Sequence, residues 1–442
     1  MLIRFRVRNF RSLKAEQGFS MAKASAQGST GTLQTPGGPQ PDVLRVAAIY
    51  GGNGAGKTNV LRALEYMRTA VRNSHKIWPA EGPIPRDPFL LDSQASIDAS
   101  FFEAELTLEG KYFRYAFTLN AREILEERLD AYPDGKHQTL LRREGQNFTF
   151  GSELAGDNQA AKRLTRPNCL FLSAAATAKH PMLLPIYREF ALHMTYVPWN
   201  RLTGQHKTAE ACQNEALRPL AERLLREADP AIAGLSVSQE DLIGPLLKSD
   251  DPQTSSLLGE LIGPLQKLLS AAREEDPDAA DFFEKRPVLS FSHKGSEDAG
   301  VALDQAHESD GIMAFLELLV PVLQVIRKGG TVCVDEIGAG LHPLQVLRVV
   351  RLFNSPRLAA RGAQIIFTTM DASLLTAAAL GRDQVWFTEK DSNGCTHLYP
   401  LTDFTPERNS RLRHGYLQGR YGPVPFIGWS GFIARLDAGA DR

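Results

Sequence analysis

Hydrophobic and polar positions change their period several times along this chain, and each change marks an element. Residues 2–8 alternate Leu2, Arg4, Arg6 and Arg8 against Ile3, Phe5 and Val7, the period of a half-buried strand. Residues 17–42 are rich in Gly, Ser, Thr, Pro and Gln and read as a loop excursion. Residues 45–50 then form a short apolar strand running straight into glycines, after which Val60, Leu61, Leu64, Met67 and Val71 recur at helical spacing. This predicts strand, glycine-rich loop, helix. Residues 101–120 alternate on both sides of Glu109-Gly110, which predicts an antiparallel hairpin within a β lobe over about 98–150. From Arg201 to Lys285 the pattern turns helical and in places acidic, a helical insertion with Pro- and Asp-rich joints. Strands return at Val288–Phe291, Thr331–Val334, Gln364–Thr368 and Gln384–Phe387, and helical patterns alternate with the middle two, which predicts a parallel sheet. The chain thus reads as residues 1–200 and 286–442 forming one mixed α/β core, interrupted by 201–285.

Composition narrows what such a core can do. The 442 residues carry 50 Lys+Arg against 51 Asp+Glu, a formal net charge of −1, so a generally basic nucleic-acid coat is excluded and any DNA contact must be a local patch. The length is ample for a core that needs no disulfide or metal. Cys169, Cys212, Cys333 and Cys395 form no C-x-x-C pair, which fits a reducing cytoplasm rather than a zinc site or a disulfide framework. Arginines interrupt the apolar residues at the start, so no secretory h-region is expected there. The best apolar stretch, Gly311 to Ile326, contains Glu317 and Pro321 and is too short to span a bilayer. A soluble cytoplasmic protein with no membrane partner is expected.

The chemistry is concentrated in two places. Gly51-Gly-Asn53-Gly54-Ala55-Gly56-Lys57-Thr58 fits G-x-x-x-x-G-K-[ST] in full, between a predicted strand and a predicted helix. Glycines allow consecutive N–H groups to curl around phosphate oxygens, and the helix N-terminus favours negative charge. Lys57 reaches the β- and γ-phosphates and the Thr58 hydroxyl ligates Mg²⁺. The predicted nucleotide-binding set is therefore Gly51, Asn53, Gly54, Ala55, Gly56, Lys57, Thr58 and Asn59, with ATP and Mg²⁺ as cofactors. The second place is Thr331-Val-Cys333-Val-Asp335-Glu336, an apolar strand tipped by two acids. Asp335 would complete the Mg²⁺ site with Thr58, and Glu336, the catalytic partner of Lys57, would polarise the attacking water. The alternative is a solvated acidic pair at a strand end. A paired acid at this point is a feature of ABC- and SMC-type ATPases.

Further stretches carry a family resemblance. Leu303-Asp-Gln-Ala-His-Glu308-Ser309-Asp310-Gly311, before a long apolar helix, resembles the signature motif of SMC-like ABC ATPases, reading ESDG where LSGGQ-like forms are usual. The resemblance implies that Ser309 and Gly311 contact ATP held by a second protomer; the alternative is an ordinary helix cap. Ile337-Gly-Ala-Gly-Leu-His342-Pro343 resembles the stretch after Walker B in overcoming-lysogenization-defect and RloA-like ATPases. Gln364–Thr369 resembles the strand leading to the switch histidine, usually within TTHD; here the text is Thr368-Thr369-Met370-Asp371, and a thioether cannot donate the hydrogen bond that imidazole supplies. Met370 therefore stands at the γ-phosphate sensor position, with His342 a candidate replacement. Asn9-Phe10-Arg11-Ser12 resembles the NFRS turn of RecF- and SMC-like proteins, which implies that Arg11 and Ser12 approach the nucleotide. Gln94 is the candidate Q-loop residue. Residues 381–390 and Tyr416-Leu-Gln418-Gly419-Arg420-Tyr421-Gly422 resemble the C-terminal part of ABC-type ATPases of bacterial anti-phage and abortive-infection systems, with RloA, AriA and PtuA as relatives. The resemblance spans the core and is poor over 201–285.

Arg408, Arg411, Arg413, His414 and Arg420 cluster near the C-terminus, either to meet nucleic acid or an acidic partner or as a solvated face. No set of acids resembles a metal-nuclease centre. The resemblance implies an ABC-type P-loop NTPase core with a mixed sheet, an antiparallel β lobe and a helical insertion. It implies a homodimer or higher homo-oligomer sandwiching ATP, whose hydrolysis drives a conformational switch controlling a separate nuclease or toxin effector in anti-phage defence. The alternative is a RecF/SMC-like DNA-maintenance ATPase acting directly on DNA. An ABC transporter subunit is disfavoured by the signature.

Overall fold

The computed structural model describes residues 1–23, 32–33, 42–198, 205–241, 285–295, 301–355, 357–358, 361–376, 379–404 and 412–422. The chain divides into two compact units, residues 1–199 with 325–442 and residues 200–324.

The first unit holds an antiparallel sheet of seven strands in the order Asn147–Phe150, Gln138–Glu144, Ile124–Ala131, Lys111–Leu119, Ser100–Leu108, Leu2–Arg8, Gln17–Ser20. Ile3, Phe5 and Val7 are buried and Arg4 and Arg8 exposed, as the alternation predicts. Leu2, which parity places with the arginines, is buried too, and the register shifts between Leu2 and Arg4. The hairpin turns at Glu109 and Gly110, both at positive φ (51° and 76°), as a type I′ turn requires. The Gln17–Asp42 excursion contributes the edge strand Gln17–Ser20, while residues 24–31 and 34–41 lie outside the described residues.

Beneath this sheet lies an ion pair with both side chains fully buried. Arg143 meets the Glu127 carboxylate at 3.2 Å and donates to the carbonyls of Cys169 (2.7 Å) and Gly145 (2.8 Å). Glu127 also accepts from the N–H groups of Phe171 (2.7 Å) and Leu172 (3.0 Å) and from the Tyr115 hydroxyl (2.9 Å). The pair thus fastens the helix Phe171–Thr177 to the sheet, and the many added hydrogen bonds offset the cost of removing two charges from water.

The second sheet of this unit carries the predicted phosphate loop. Its elements are β1 (Val46–Tyr50), α1 (Lys57–Asn73), β2 (Met194–Val197), β3 (Gly330–Val334), α2 (Pro343–Asn354), β4 (Ala363–Thr369), β5 (Val385–Lys390) and β6 (Thr396–Pro400). The strand order is β2-β3-β4-β1-β5-β6, parallel throughout except for the β5–β6 hairpin. Every residue of β1, β3 and β4 is buried, which explains their continuous apolar runs. Helix α1 buries Val60, Leu61, Leu64, Met67 and Val71, the stripe read from spacing. Gln364 couples the two sheets. Its amide accepts from the Leu2 N–H (2.7 Å) and the Thr331 hydroxyl (3.1 Å) and donates to the carbonyls of Leu2 (2.9 Å) and Leu44 (3.0 Å). All four of its hydrogen-bonding capacities are used.

The second unit contains helices Gln205–Cys212 and Arg218–Ala228 and an antiparallel sheet in the order Ile232–Asp241, Lys285–His293, Val301–Asp304. Residues 242–284 of the expected helical insertion lie outside the described residues. Within the described part, Ile232–Asp241 is a strand, because Leu235 and Val237 alternate with Ser236 and Ser238 at period two. Val288–Phe291 belongs to this separate sheet. No helix among the described residues is long and apolar enough to cross a membrane.

Arg143→Leu should strand the Glu127 charge in the interior and cost about 3–5 kcal/mol. Denaturant titration followed by tryptophan fluorescence would measure it, and a loss below about 1 kcal/mol would show that the pair does not hold the helix to the sheet.

Candidate functional site

The loop from Gly51 to Gly56 leaves β1 and closes onto α1. Gly54 and Gly56 have φ of 75° and 99°, where an L side chain is strained, and Asn53 and Gly54 are exposed at the loop tip. Gly56 caps α1 without a side-chain hydrogen bond, and no acid of the helix itself occupies its first turn, so its N-terminus can favour an anion. Lys57 is 5% exposed and donates to the carbonyls of Gly51 and Gly52, each at 3.0 Å. An ammonium has three donors, so one is left for a phosphate oxygen. Burial holds the Lys57 ammonium below its ordinary pKa, while Glu336 and Asp335 oppose the shift.

Asp335 follows the tip of β3 and is completely buried. Its Oδ1 accepts from the Thr58 hydroxyl at 3.0 Å and from the Thr368 hydroxyl at 2.7 Å. Its Oδ2 is buried with no hydrogen-bond partner among the described residues. A carboxylate oxygen in that position is costly unless a cation meets it. A hydroxyl and a carboxylate side by side are hard oxygen donors, and Mg²⁺ is commonly held by one or two carboxylates together with substrate phosphates. Thr58 and Asp335 therefore fit Mg²⁺. Among the described residues no group of three or more His, Cys, Asp or Glu forms a separate metal cluster.

Glu336 is half-buried and sits at φ 46°, a left-handed conformation that costs a glutamate on the order of 1–3 kcal/mol. Its N–H donates to Thr368 Oγ1 at 2.7 Å, and the Ile337 N–H donates to the Thr368 carbonyl at 3.0 Å. One threonine thus takes the Glu336 peptide proton and gives its own proton to Asp335, fixing both acids. The sequence shows Thr368 only as part of Thr368-Thr369-Met370-Asp371, because a threonine in a strand carries no mark beyond β propensity.

The other predicted residues divide. Ser12 and Asn59 are brought together beside the loop, Asn59 Nδ2 donating to Ser12 Oγ at 2.6 Å. Arg11, at φ 50°, turns its guanidinium onto the Asp87 carboxylate (2.7 and 3.0 Å), and its N–H donates to the Asp87 carbonyl. His342 is exposed and caps α2: its Nδ1 accepts from the Leu344 N–H at 3.2 Å, and its own N–H donates to Gln345 Oε1 at 3.1 Å. Met370 follows Thr369 directly and is 46% exposed. Asp371 accepts from both the N–H and the hydroxyl of Ser373, at 2.8 Å each. Gln94 lies exposed on the short helix Ser93–Ile97, bonded to Asp98. Ser309 and Gly311 belong to the second unit, where Ser309 Oγ accepts from the Ile312 N–H (3.3 Å) at the exposed start of the helix Asp310–Lys328. Arg413, His414 and Arg420 are exposed, and Arg408 and Arg411 lie outside the described residues.

Three comparisons bear on this geometry. No curated protein matches the chain. Among solved structures it is similar to the SMC head domain from Thermotoga maritima, at 13% identity over 90% of this chain and 98% of that one, with a TM-score of 0.40. It is also similar to an SMC head bound to the C-winged helix domain of ScpA (12%, 90% and 96%, TM-score 0.45). A third is an SMC head with an extended coiled coil, bound to the C-terminal domain of ScpA, from Pyrococcus furiosus (13%, 91% and 97%, TM-score 0.38). Likenesses this slight assign this chain neither a partner nor an activity. The family described as "AAA domain, putative AbiEii toxin, Type IV TA system" matches residues 46–173 and 210–375. The glycine loop and Lys57 fall in the first stretch and Asp335 and Glu336 in the second, and the chain belongs to this AAA-domain family of P-loop ATPases.

Proposed function

We propose that the protein binds and hydrolyses ATP, and that this cycle is a conformational switch controlling a separate toxic or nuclease effector in bacterial anti-phage defence. The observation that carries the chemistry is the buried Asp335 carboxylate, with one oxygen on the Thr58 hydroxyl and the other without a partner among the described residues, separated by one intervening strand from a glycine loop with a buried lysine. Thr58 and Asp335 would hold Mg²⁺, which when bound supplies positive charge between the phosphates. Lys57 balances the charge of the β- and γ-phosphates. Glu336, anchored through Thr368, accepts a proton from the attacking water.

The exposed start of the Asp310–Lys328 helix supports an ATP sandwich, since the Ser309 hydroxyl and the first-turn N–H groups suit a phosphate held by a second protomer. Binding then closes a homodimer or higher homo-oligomer, and hydrolysis opens it. The family description, which names a toxin of a toxin–antitoxin system, supports an effector-controlling role, as does the resemblance of residues 416–422 to anti-phage ATPases.

Lys57→Ala should abolish ATP binding. At 100 times Kd a bound ligand stabilises by about 2.7 kcal/mol, so Mg²⁺-ATP should raise the melting temperature of wild type and not of the variant. An equal rise in both removes the loop assignment. Glu336→Gln with ATP should accumulate the closed assembly in sedimentation velocity, and Ser309→Arg should block it by bulk and charge; no nucleotide-dependent change in either variant defeats the sandwich. Met370→His restores a donor worth roughly 1.5–3 kcal/mol, so turnover should rise on the order of 10–100-fold at unchanged ATP affinity. Steady-state phosphate release decides it, and equal rates mean that Met370 does not limit hydrolysis.

A further inference from the structure

The β5–β6 hairpin lies more than 300 residues beyond the phosphate loop in sequence, yet it touches both ends of it. At the first end, the Thr388 hydroxyl donates to the Tyr50 carbonyl at 3.3 Å, and a Cβ on Gly51 would lie 2.5 Å from Thr388 Oγ1. At the second, the Thr396 hydroxyl lies 3.1 Å from the Ala55 carbonyl and 2.7 Å from Ser12 Oγ, and a Cβ on Gly56 would run into the Thr396 side chain. Thr388 and Thr396 are almost wholly buried. The two outer glycines of the motif are thus required by close approach of a hairpin as well as by phosphate chemistry.

Counting protons orders the contacts at the second end. Ser12 Oγ accepts from Asn59 Nδ2 (2.6 Å), the Ala55 carbonyl can only accept, and each hydroxyl has one proton. All three contacts are met together only if Ser12 donates to Thr396 and Thr396 donates to Ala55. The result is one chain, Asn59 to Ser12 to Thr396 to Ala55, tying the first turn of α1, the N-terminal turn and the hairpin to one peptide group. A trans peptide is planar with its C=O and N–H opposed. Holding the Ala55 carbonyl toward the hairpin therefore turns the Gly56 N–H away from it, and Thr388 does the same for the Gly51 N–H through the Tyr50 carbonyl.

We propose that the hairpin seats the phosphate loop and that Thr396 is a positioning residue for nucleotide binding, acting through the Ala55–Gly56 peptide. The inference rests on the reading that this loop binds ATP. It also gives a role to the Tyr416–Gly422 motif. Tyr416 packs edge-on against Tyr50, the last residue before the loop, with ring centroids 5.5 Å apart. Tyr416 and Tyr421 both stack on Phe387 of β5, at 6.1 and 5.4 Å, and the Tyr399 hydroxyl of β6 donates to the Tyr421 carbonyl at 2.8 Å. The motif thus packs against both the hairpin and the last residue before the loop.

Thr396→Val keeps the shape and removes the proton that orients the peptide. It should raise the Kd for Mg²⁺-ATP, read with a fluorescent ATP analogue and competition by ATP, on the order of ten-fold. The kcat at saturating ATP should stay within about two-fold of wild type, because the hydroxyl acts on binding and not on the attacking water. Thr396→Ser, which keeps the hydroxyl, should restore the affinity. A purely structural threonine would lower the nucleotide-free melting temperature and leave Kd unmoved, and that result overturns the proposal. If Thr396→Val does not fold, Thr396→Ala removes the same proton with one methyl fewer; a weaker Kd is expected, and a wild-type Kd overturns the proposal. Wild-type protein that fails to bind Mg²⁺-ATP removes the ATP reading and the inference together, whereas wild type that binds, with Thr396→Val binding equally well, removes the inference alone.

Discussion

One fully buried carboxylate organises the surroundings of the glycine loop. Asp335 brings together three elements that no short stretch of chain could join: the tip of β3, the first turn of α1 through Thr58, and the end of β4 through Thr368. Removing a carboxylate from water costs several kcal/mol, and two hydroxyl donors on one oxygen offset only part of that. The second oxygen, without a hydrogen-bond partner among the described residues, suits a divalent cation. The strand order β3-β4-β1 sets the spacing, because β4 lies between the acid and the loop and supplies the threonine that links them.

The neighbouring acid is held by a different means. Glu336 occupies a left-handed backbone conformation, and such strain persists only where the surroundings over-determine it. Here the Thr368 hydroxyl and carbonyl receive the N–H groups of Glu336 and Ile337 in turn. The two carboxylates, Asp335 and Glu336, therefore share one anchor, and a displacement of β4 would move both. The same economy holds on the other side of the loop, where β5, β6 and the N-terminal turn converge on the peptides at Gly51 and Gly56. A phosphate loop works through the directions of its N–H groups, and those directions are set by what grips the carbonyls behind them.

Much of this was legible in the residues themselves. The strand, glycine loop and helix over 45–71 appear as local periods and a local motif, and so does the apolar strand ending in Asp335-Glu336, because those features depend on neighbours a few positions away. The arginine–apolar alternation of residues 2–8 and the Glu109-Gly110 turn were readable for the same reason. Local reading left out the partners that only the assembled fold supplies. His342, a candidate phosphate contact, is the cap of α2, and its ring nitrogen is engaged by the Leu344 N–H. Arg11 faces Asp87, 76 positions away, and no periodicity announces that pairing.

What the sequence by itself determined is the chemical inventory and its placement at the ends of particular elements: a lysine and threonine opening a helix, and two acids closing a strand. Only the tertiary structure decided which strand lies between them, that Thr368 serves both acids, and that Thr388 and Thr396 back the loop. These residues meet across separations of 33 positions for Thr368 and Asp335, and 341 for Thr396 and Ala55. A hydrophobic period reports only which face of an element is buried. Which other element covers that face depends on strand order and register, and a buried threonine hydroxyl acquires its partner only when the sheet assembles.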